Sequence, residues 1–448
     1  MQVVERWPRC PETALWFDEQ MHNLRVNAPH FDQYASYLLR QSGVEIGSIV
    51  DHWKFPPAMF HDELGLRLGM ESIATDCGVQ WTHRLACVPD VLVSDVDVPM
   101  PVLRVESLRQ FSDCTGWIVV GGAGDDDSAY AESQFLVDGL HVCAAVRQAQ
   151  TCCCPGRVSA DYRERLAHAR ELLLLRDRTG TDEQALATAH LVANKLIGLI
   201  GRDRAAEEFF RAERDYYMSR NNAALYQYRL QEDAGIGWAN HDHHTYRSSR
   251  TEFRQLLNLF ESLGFYRRER FYAGVEAGWG AQVMEHPVSR VVLFCDVDLT
   301  TSDLHGDFTE TELPPSDVLK TIGLWCALHG CSIGVAGMHH LEAEFNFEQA
   351  ALIMEQSGYS MMPPFTDLPM LKQAFTLPEF WTVSPERARV LLECGAITRE
   401  QANSFTRVGA AGSHLEILQR WEGYRGFNKT GVSKILLATD ARLVNVTH

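Results

Sequence analysis

Apolar and polar residues alternate in some stretches of the chain and recur at helical spacing in others. Before residue 152, the runs HNLRVN and GWIVVGG indicate strands, and FDQYASYLLRQSG indicates a helix. The segment CCCPGRV at 152–158 then reads as a break, because it carries Pro and Gly. Three long stretches with helical spacing follow: DYRERLAHARELLLL, EQALATAHLVANKLIGLI and AAEEFFRAERDYYMSRNNAALYQYRLQ.

From about residue 240 the pattern is mixed, and two units in this region begin alike. HDHHTYRSS predicts a strand that leads into the helix RTEFRQLLNLFESLG, followed by the strand candidates FYRRERF, GAQVMEH and VVLFCDVDL. GMHHLEAEF likewise leads into NFEQAALIMEQSGY. A third, weaker copy is expected where MHNLRV precedes FDQYASYLLRQSG. Such repeats favour paired β-α-β-β-β modules, whose curved sheets enclose a central pocket.

We therefore expect an α+β protein with three parts: an N-terminal α+β module at 1–155, a helical lead-in at 156–235 and a metal-binding domain at 236–448. The N-terminal module could serve dimerisation, lid formation or recognition of a larger substrate. His22 in that module is either a remnant ligand of a third copy or a packing residue, and packing is the commoner role for a lone histidine.

Charge narrows the range of partners. The 448 residues carry a formal net charge of −18, which repels phosphate backbones and gives no reason to expect binding to an anionic membrane. No apolar run is long enough for a signal peptide or a membrane span. A local basic pocket for a small anion stays compatible with this acidic total.

Cysteine usage indicates a reduced, cytoplasmic protein. The 12 cysteines are irregularly spaced and form no CxxC pair, so neither a disulfide scaffold nor a zinc ribbon is indicated. The adjacent Cys152, Cys153 and Cys154 could bind metal or sense oxidant, but thiols at the end of a helix beside a linker are the commoner case.

Several familiar catalytic motifs are absent, among them HExxH, GxSxG and GxxxxGK[ST], and GGAGDDD at 121–127 favours a tight turn over a dinucleotide loop. Three strand-like stretches remain that carry metal-capable or anion-binding side chains. They are DHHTYR at 242–247, HHLE at 339–342 and HLEILQR at 414–420. Since side chains alternate along a strand, His243 shares a face with Arg247, and Glu416 shares a face with Arg420.

Two imidazoles and one carboxylate can hold one face of an octahedral ion and leave three positions for substrate and O2. This arrangement is typical of non-haem Fe(II) oxygenases. An arginine on the same face suits a carboxylate, because its planar fork binds both oxygens. Spacing alone leaves packing or surface histidines the commoner interpretation.

Residues 185–442 resemble the 2-oxoadipate dioxygenase/decarboxylase family, whose modules are similar to those of the vicinal oxygen chelate superfamily. The family motif Asp-His-x-Ala-Phe-Arg-Thr is matched by DHHTYRS at 242–248, and Asn-His-x-Thr is matched loosely by HHLE at 339–342. The third motif, Tyr-x-Glu-Phe-x-x-Arg followed by Gly-Phe, is matched by HLEILQR at 414–420 and by GF at 426–427.

The resemblance implies an Fe(II) site on His243, His340 and Glu416, and a substrate carboxylate on Arg247. It implies for Arg420 either a second anion contact or a role in orienting the site. A 2-oxo acid would react with O2, with oxidative decarboxylation and hydroxylation.

Two departures from the family affect the expected substrate. Glu342 stands where the family has Thr, and residues 1–155 are extra. An amino-acid derivative therefore stays open as a substrate. Arg247, Arg420 and Lys429 would make the pocket locally basic.

Two other functions stay open. Metal pockets of this architecture also carry out isomerase or lyase chemistry with Zn, Ni or Mn, without O2. A non-catalytic protein that binds a small ligand is the third reading. The expected partners are a small carboxylate-bearing molecule and O2, and a homodimer is compatible with the sequence.

Overall fold

The computed structural model describes residues 7–148, 158–274, 277–366, 368–428 and 439–444. These residues form two large mixed sheets and a layer of helices, which confirms the α+β class expected from the sequence. Within the described ranges, no helix is both long and apolar enough to cross a bilayer. The CCCPGRV break, with its three cysteines, lies outside the described residues apart from Val158.

The N-terminal part contains two β-α-β-β-β modules, whereas the sequence predicted one module there. Its elements are α1 (Pro11–Asn27), α2 (Pro29–Ser42), a 3₁₀ helix (Ile46–Ile49), β1 (Val50–Phe55), α3 (Asp62–Arg67), β2 (Glu71–Thr75), β3 (Gly78–Thr82), β4 (Asp90–Val93), β5 (Met100–Arg104), α4 (Leu108–Thr115), β6 (Ile118–Ala123), β7 (Tyr130–Val137) and β8 (Leu140–Arg147). They form one sheet of order β2-β3-β4-β1-β5-β8-β7-β6. In each module the first strand pairs in parallel with the last, and β1 joins β5 in antiparallel.

The strand predicted at MHNLRV is wrong, because these residues lie in helix α1. Six residues of apparent alternation are too few to separate the two periods. Over the longer segment, Thr13, Phe17 and Leu24 are buried at helical spacing, and Pro11 occupies the first turn, where its missing N–H costs nothing. His22 is exposed on this helix, so no third copy of the module begins here.

The middle of the chain is helical, as predicted: α5 (Ala160–Leu174), α6 (Asp182–Ile200), α7 (Arg202–Met218) and α8 (Asn222–Asp233). The last predicted stretch is divided into two helices. Asn221 ends the continuity, because its side chain accepts a hydrogen bond of 2.8 Å from the Ala224 N–H and so caps a new helix.

The C-terminal part contains the two modules that the sequence predicted. Its elements are β9 (His241–Arg247), α9 (Phe253–Ser262), β10 (Tyr266–Tyr272), β11 (Trp279–Glu285), β12 (Val292–Asp298), a 3₁₀ helix (Thr301–His305), α10 (Thr321–His329), β13 (His340–Glu344), α11 (Phe347–Gln356), β14 (Leu371–Phe375), β15 (Phe380–Trp381), α12 (Pro385–Glu393), α13 (Arg399–Arg407), β16 (Ala410–Ala411) and β17 (His414–Arg420). The sheet order is β10-β11-β12-β9-β13-β17-β14. The pairs β9–β12 and β13–β17 are parallel, and β9 joins β13 in antiparallel.

Strand β9 separates the core from the site. His244 and Tyr246 point towards the helical layer, where their rings lie 5.8 and 6.0 Å from the ring of Phe210 on α7. Truncating a buried Phe of this kind to Ala costs about 3–5 kcal/mol. Because side chains alternate along a strand, this packing directs His243 and Arg247 to the opposite face.

Candidate metal centre and its cavity

Three neighbouring strands bring His243, His340 and Glu416 together. His243 lies on β9, His340 on β13 and Glu416 on β17, all on the same face of the sheet and all buried. The two Nε2 atoms are 3.4 Å apart. Oε2 of Glu416 lies 3.1 Å from Nε2 of His340 and 3.9 Å from Nε2 of His243.

This donor set fits a single metal ion. Two ligands about 2.1 Å from an ion, at right angles to each other, are themselves about 3.0 Å apart, which is close to two of the observed separations, 3.1 and 3.4 Å, and shorter than the third, 3.9 Å. Neutral imidazole nitrogens and a carboxylate suit a divalent first-row ion. In addition, Asp242 and Glu342 lie around the cluster, so a divalent cation would balance their negative charge.

The other ring nitrogen of His243 is held by carboxylates. Its Nδ1 lies 2.8 Å from Oε1 of Glu342 and 3.3 Å from Oδ2 of Asp242. Although burial alone would lower it, Glu342 and Asp242 raise the pKa of His243 to about 10. Near neutral pH this raised pKa keeps both ring nitrogens of the metal-free His243 protonated, so a metal ion would displace the proton of Nε2 while the carboxylates hold the proton of Nδ1. Such carboxylate–histidine contacts orient metal ligands in proteins.

Gln373 connects the two glutamates from strand β14. Its Nε2 donates to Oε2 of Glu342 at 2.7 Å and to Oε1 of Glu416 at 3.2 Å. Burial, together with the charge of Glu416, raises the pKa of Glu342 to about 8. Because Gln373 binds one oxygen of each glutamate, the second oxygen of Glu342 is directed towards His243. The second oxygen of Glu416 is directed towards the two imidazoles.

His340 is a neutral imidazole held by two contacts. Its Nδ1 lies 2.9 Å from Nδ1 of His339, and its Nε2 lies 2.8 Å from Oγ1 of Thr245. Burial lowers the pKa of His340 well below its usual value. The neutral form is the one that ligates a metal.

Arg420 does not line the cavity beside the cluster, and lies on the side of a larger cleft of about 1410 Å³. Its guanidinium donates to Asp242 at 2.9 Å and to the Gly426 carbonyl at 2.6 Å. Through Asp242 it is connected to Nδ1 of His243. Arg420 therefore contacts a residue that neighbours the cluster. The sequence had left open whether Arg420 binds an anion or orients the site.

A cavity of about 70 Å³ opens beside the cluster and is walled mainly by aromatic rings. These are Phe271, Trp279, Phe294, Phe365, Phe375 and Phe427. The other residues that line it are polar and include the three of the cluster, and aromatic walls beside such polar groups are typical of small-ligand sites.

Arg247 forms part of the wall of this cavity. It is 2% exposed, and its Nη2 makes one long hydrogen bond of 3.4 Å to Thr439, while Nε and Nη1 have no hydrogen-bond partner among the described residues. A buried guanidinium with free donors is suited to a carboxylate. Lys429, the other predicted basic residue, lies outside the described residues.

Sequence reasoning missed the contributions of Gln373 and Asp296, both of which line the cavity. The available signal was a polar residue at an inward position of an apolar strand, as in LKQAF for Gln373 and VLFCDVD for Asp296. Glu342 was noted as a departure from the family, but its contact with His243 depends on cross-strand register and could not be read from spacing.

No family model matches the chain, and no curated protein matches it. Among solved structures, methylmalonyl-CoA epimerase from Mycobacterium tuberculosis is 10% identical, over 41% of this chain and 88% of that one, with a TM-score of 0.23. A mutant of 4-hydroxymandelate synthase from Streptomyces coelicolor is 12% identical, over 88% and 98%, with a TM-score of 0.30. The uncharacterised protein YdcJ from Shigella flexneri is 12% identical, over 54% and 74%, with a TM-score of 0.24. Likenesses this distant carry no argument about function.

Proposed function

We propose that the chain is a non-haem Fe(II)-dependent oxygenase acting on a small carboxylate-bearing substrate, either a 2-oxo acid or an amino-acid derivative. The observation that supports this is the meeting of His243, His340 and Glu416 at the edge of an aromatic cavity. A two-histidine, one-carboxylate set occupies one face of an ion and leaves the other positions free for substrate and O2.

In this proposal the chain's own residues bind, orient and exclude water. Bound iron supplies the chemistry with O2, which side chains lack. Glu342 keeps the proton of His243 on Nδ1, and Gln373 holds both glutamates in place. Arg247 binds a carboxylate of the substrate, and the aromatic walls keep water away from the reacting end.

Oxidative decarboxylation is the specific reaction we propose for a 2-oxo acid, in line with the resemblance to the 2-oxoadipate dioxygenase/decarboxylase family. One O2 is consumed, and one CO2 is released for each 2-hydroxy acid formed. This stoichiometry separates the reaction from a simple oxidation, in which no carbon is lost.

The test is to purify the protein without oxygen, load Fe(II) and measure O2 uptake with a set of 2-oxo acids and amino acids. We expect iron-dependent uptake with at least one of them. His243→Ala should lose bound iron, whereas His22→Ala, which removes an exposed histidine, should keep it. Arg247→Ala should keep iron but bind substrate more weakly. Absence of iron-dependent O2 uptake with every compound would contradict the proposal.

The same experiment distinguishes the two other functions. Turnover that proceeds without O2 and is supported by Zn, Ni or Mn would indicate an isomerase or lyase. Thermal stabilisation by a small ligand that does not depend on metal, with no turnover, would indicate a binding protein.

A further inference from the structure

Two charged residues of opposite sign face the cavity side by side. Asp296 on β12 is paired in register with Arg247 on β9, and these strands run parallel, so both side chains lie on the same face of the sheet. Both residues line the aromatic cavity, and both are more than nine-tenths buried.

The two side chains do not form an ion pair with each other. Among the described residues, Nε and Nη1 of Arg247 have no hydrogen-bond partner, and neither a hydrogen bond nor an ion pair joins the Arg247 guanidinium to the Asp296 carboxylate. Leaving buried polar groups unpaired is unfavourable, and a bound ligand is one way in which a native protein satisfies them.

The other acids near Arg247 already have partners. Asp298 accepts hydrogen bonds from the backbone N–H groups of Lys320, Ile322 and Gly323, at 2.8, 3.1 and 2.9 Å. Asp440 accepts from Thr321 at 2.8 Å and from Arg442 at 2.6 Å. Among the described acids near Arg247, Asp296 is therefore the one that lines the cavity without such partners.

We infer that Arg247 and Asp296 together bind the carboxylate and the ammonium group of an amino acid, whose side chain lies among the aromatic rings towards the metal. The inference rests on the proposed function, because it names the class of substrate for that same site. It assigns to Asp296 the choice between an amino acid and the corresponding 2-oxo acid.

Charge favours a zwitterion over a second carboxylate at this position. A dicarboxylate held by Arg247 would lie against Asp296, and like charges in a buried site repel strongly. A zwitterion places its ammonium group against Asp296 instead. Burial raises the pKa of Asp296 to about 7 even though Arg247 lowers it, and an ammonium neighbour would favour the ionised form.

The spacing along the sheet is consistent with this orientation. Arg247 follows His243 by four residues on β9, which is about 13 Å along the strand. His340 is paired with Thr245, two residues or about 7 Å before Arg247 along the strand, so the zwitterionic group would lie about 7 to 13 Å along the strand from the positions of the two histidine ligands. The aromatic residues between them suit an apolar side chain better than a polar one.

The test is calorimetric titration of the full-length protein, without oxygen, in metal-free and Fe(II)-loaded form. The probes are L-leucine, L-methionine, L-phenylalanine and L-tyrosine, each with its matched 2-oxo acid and its matched amine. We expect at least one amino acid to bind roughly tenfold or more tightly than both of its analogues, because each analogue leaves one buried charge unpaired. If no amino acid in the set exceeds both analogues, the inference is overturned.

Variants identify the residues responsible. Asp296→Asn should abolish the preference for the amino acid over the 2-oxo acid, whereas Asp317→Asn, which removes the same charge at an exposed position, should retain it. Retention of the full preference by Asp296→Asn would overturn the inference. The wild-type comparison of the three probes stands even if the variant folds poorly.

Metal content, measured in the same samples, distinguishes this inference from the proposed function. Amino-acid preference that depends on Asp296, in a protein that binds no iron, would support the inference and contradict the oxygenase. Iron binding with O2 uptake on 2-oxo acids, and no preference for any amino acid, would support the oxygenase and overturn the inference.

Discussion

The two sheets share the arrangement of their central strands but differ in the chemistry of the corresponding faces. In each, two modules join through their first strands, so β1, β5 and β8 of the N-terminal sheet correspond to β9, β13 and β17 of the C-terminal sheet. The last C-terminal module adds only β13, β14 and β17 to its sheet, because β15 and β16 pair separately. The row of cross-strand partners His243–Glu342–Glu416 has its equivalent in His52–Val102–Cys143. The topology alone therefore does not create a metal site.

The fourth equivalent position makes the same point. His340 is the cross-strand partner of Thr245, and Met100 is the partner of Lys54. Met100 and Cys143 belong to a small buried apolar cluster, and burial keeps the Cys143 thiol protonated by raising its pKa. At two of the three ligand positions the N-terminal sheet thus carries Met100 and Cys143, whereas the third holds His52, which contacts Asp51 at 2.8 Å.

Buried acids differ between the two regions in the same sense. In the N-terminal sheet, Glu132 accepts from Lys54 at 2.5 Å and from Tyr130 at 2.7 Å, and these partners lower its pKa despite burial. In the C-terminal sheet, burial raises the pKa of Glu342 to about 8 and of Asp296 to about 7. Acids with cationic partners stabilise the fold. Buried acids with a raised pKa are typical of functional sites, and here they lie beside the candidate metal centre.

The largest expected effect is the loss of metal binding in His340→Ala. A four-ligand zinc site contributes about 10–16 kcal/mol, so one ligand is worth roughly 3–4 kcal/mol, or more than about a hundredfold in affinity. The measurement is competitive titration with a metal chelator. Met100→Ala, at the equivalent position of the other sheet, should leave metal affinity unchanged, and a comparable loss in that variant would end the distinction between the two faces.

The next effect concerns a paired acid, Glu208 on α7. It is 2% exposed and accepts hydrogen bonds from Arg170 and Arg204, which in turn bond to Asp127 at the N-terminal sheet. Although burial alone would raise it, Arg170, Arg211 and Arg204 lower the pKa of Glu208 to about 2. A lowered pKa stabilises the folded state above the unfolded value of 4.5, and this stabilisation is lost as the pH falls towards 2.

Glu208→Gln should therefore lower the free energy of unfolding at pH 7 by roughly 3 kcal/mol and flatten its dependence on pH between about 4.5 and 2. Urea unfolding at several pH values measures both. Asp296→Asn, which removes an unpaired acid of raised pKa, should leave the metal-free protein as stable as before or more stable. If both variants lost a similar free energy of unfolding, a cationic partner would not distinguish acids that stabilise the fold from acids that belong to the site.

The sequence predicts the local elements of the candidate site, but it does not predict the contacts between strands that are distant in the chain. The alternation in DHHTYR, with the helix that follows, is sufficient to predict β9, α9 and the shared face of His243 and Arg247, because these depend on local periodicity. The contact of Glu342 with His243, and the position of Asp296 beside Arg247, depend on register between strands distant in sequence. The sequence predicted one N-terminal module where the structure has two, and residues such as Met100 and Cys143, at positions corresponding to metal ligands, carry no chemical signal that would indicate the second.

A smaller effect is expected for Glu342→Gln. The substitution retains the shape of the side chain but replaces by an amide the carboxyl group whose Oε1 lies 2.8 Å from Nδ1 of His243, and such outer contacts typically contribute about 10- to 100-fold in metal affinity. Chelator competition is again the measurement. Glu132→Gln provides the control in the other sheet, where it should lower stability and leave metal affinity unchanged. Equal metal affinity in Glu342→Gln and the wild type would mean that Glu342 does not orient the ligand.

The smallest effect is expected at Thr245, the cross-strand neighbour of His340. Its hydroxyl lies 2.8 Å from Nε2 of His340, the atom that would bind the metal, so in the metal-free protein the hydroxyl satisfies that nitrogen. Thr245→Val removes this competing hydrogen bond, which is worth about 0.5–1.5 kcal/mol, and should raise metal affinity by roughly two- to tenfold. Thr245→Ser retains a hydroxyl and should behave like the wild type. Weaker metal binding in Thr245→Val would instead mean that the hydroxyl supports the bound ion. Thr245 would then be a further difference from the N-terminal sheet, where Lys54 occupies the corresponding position.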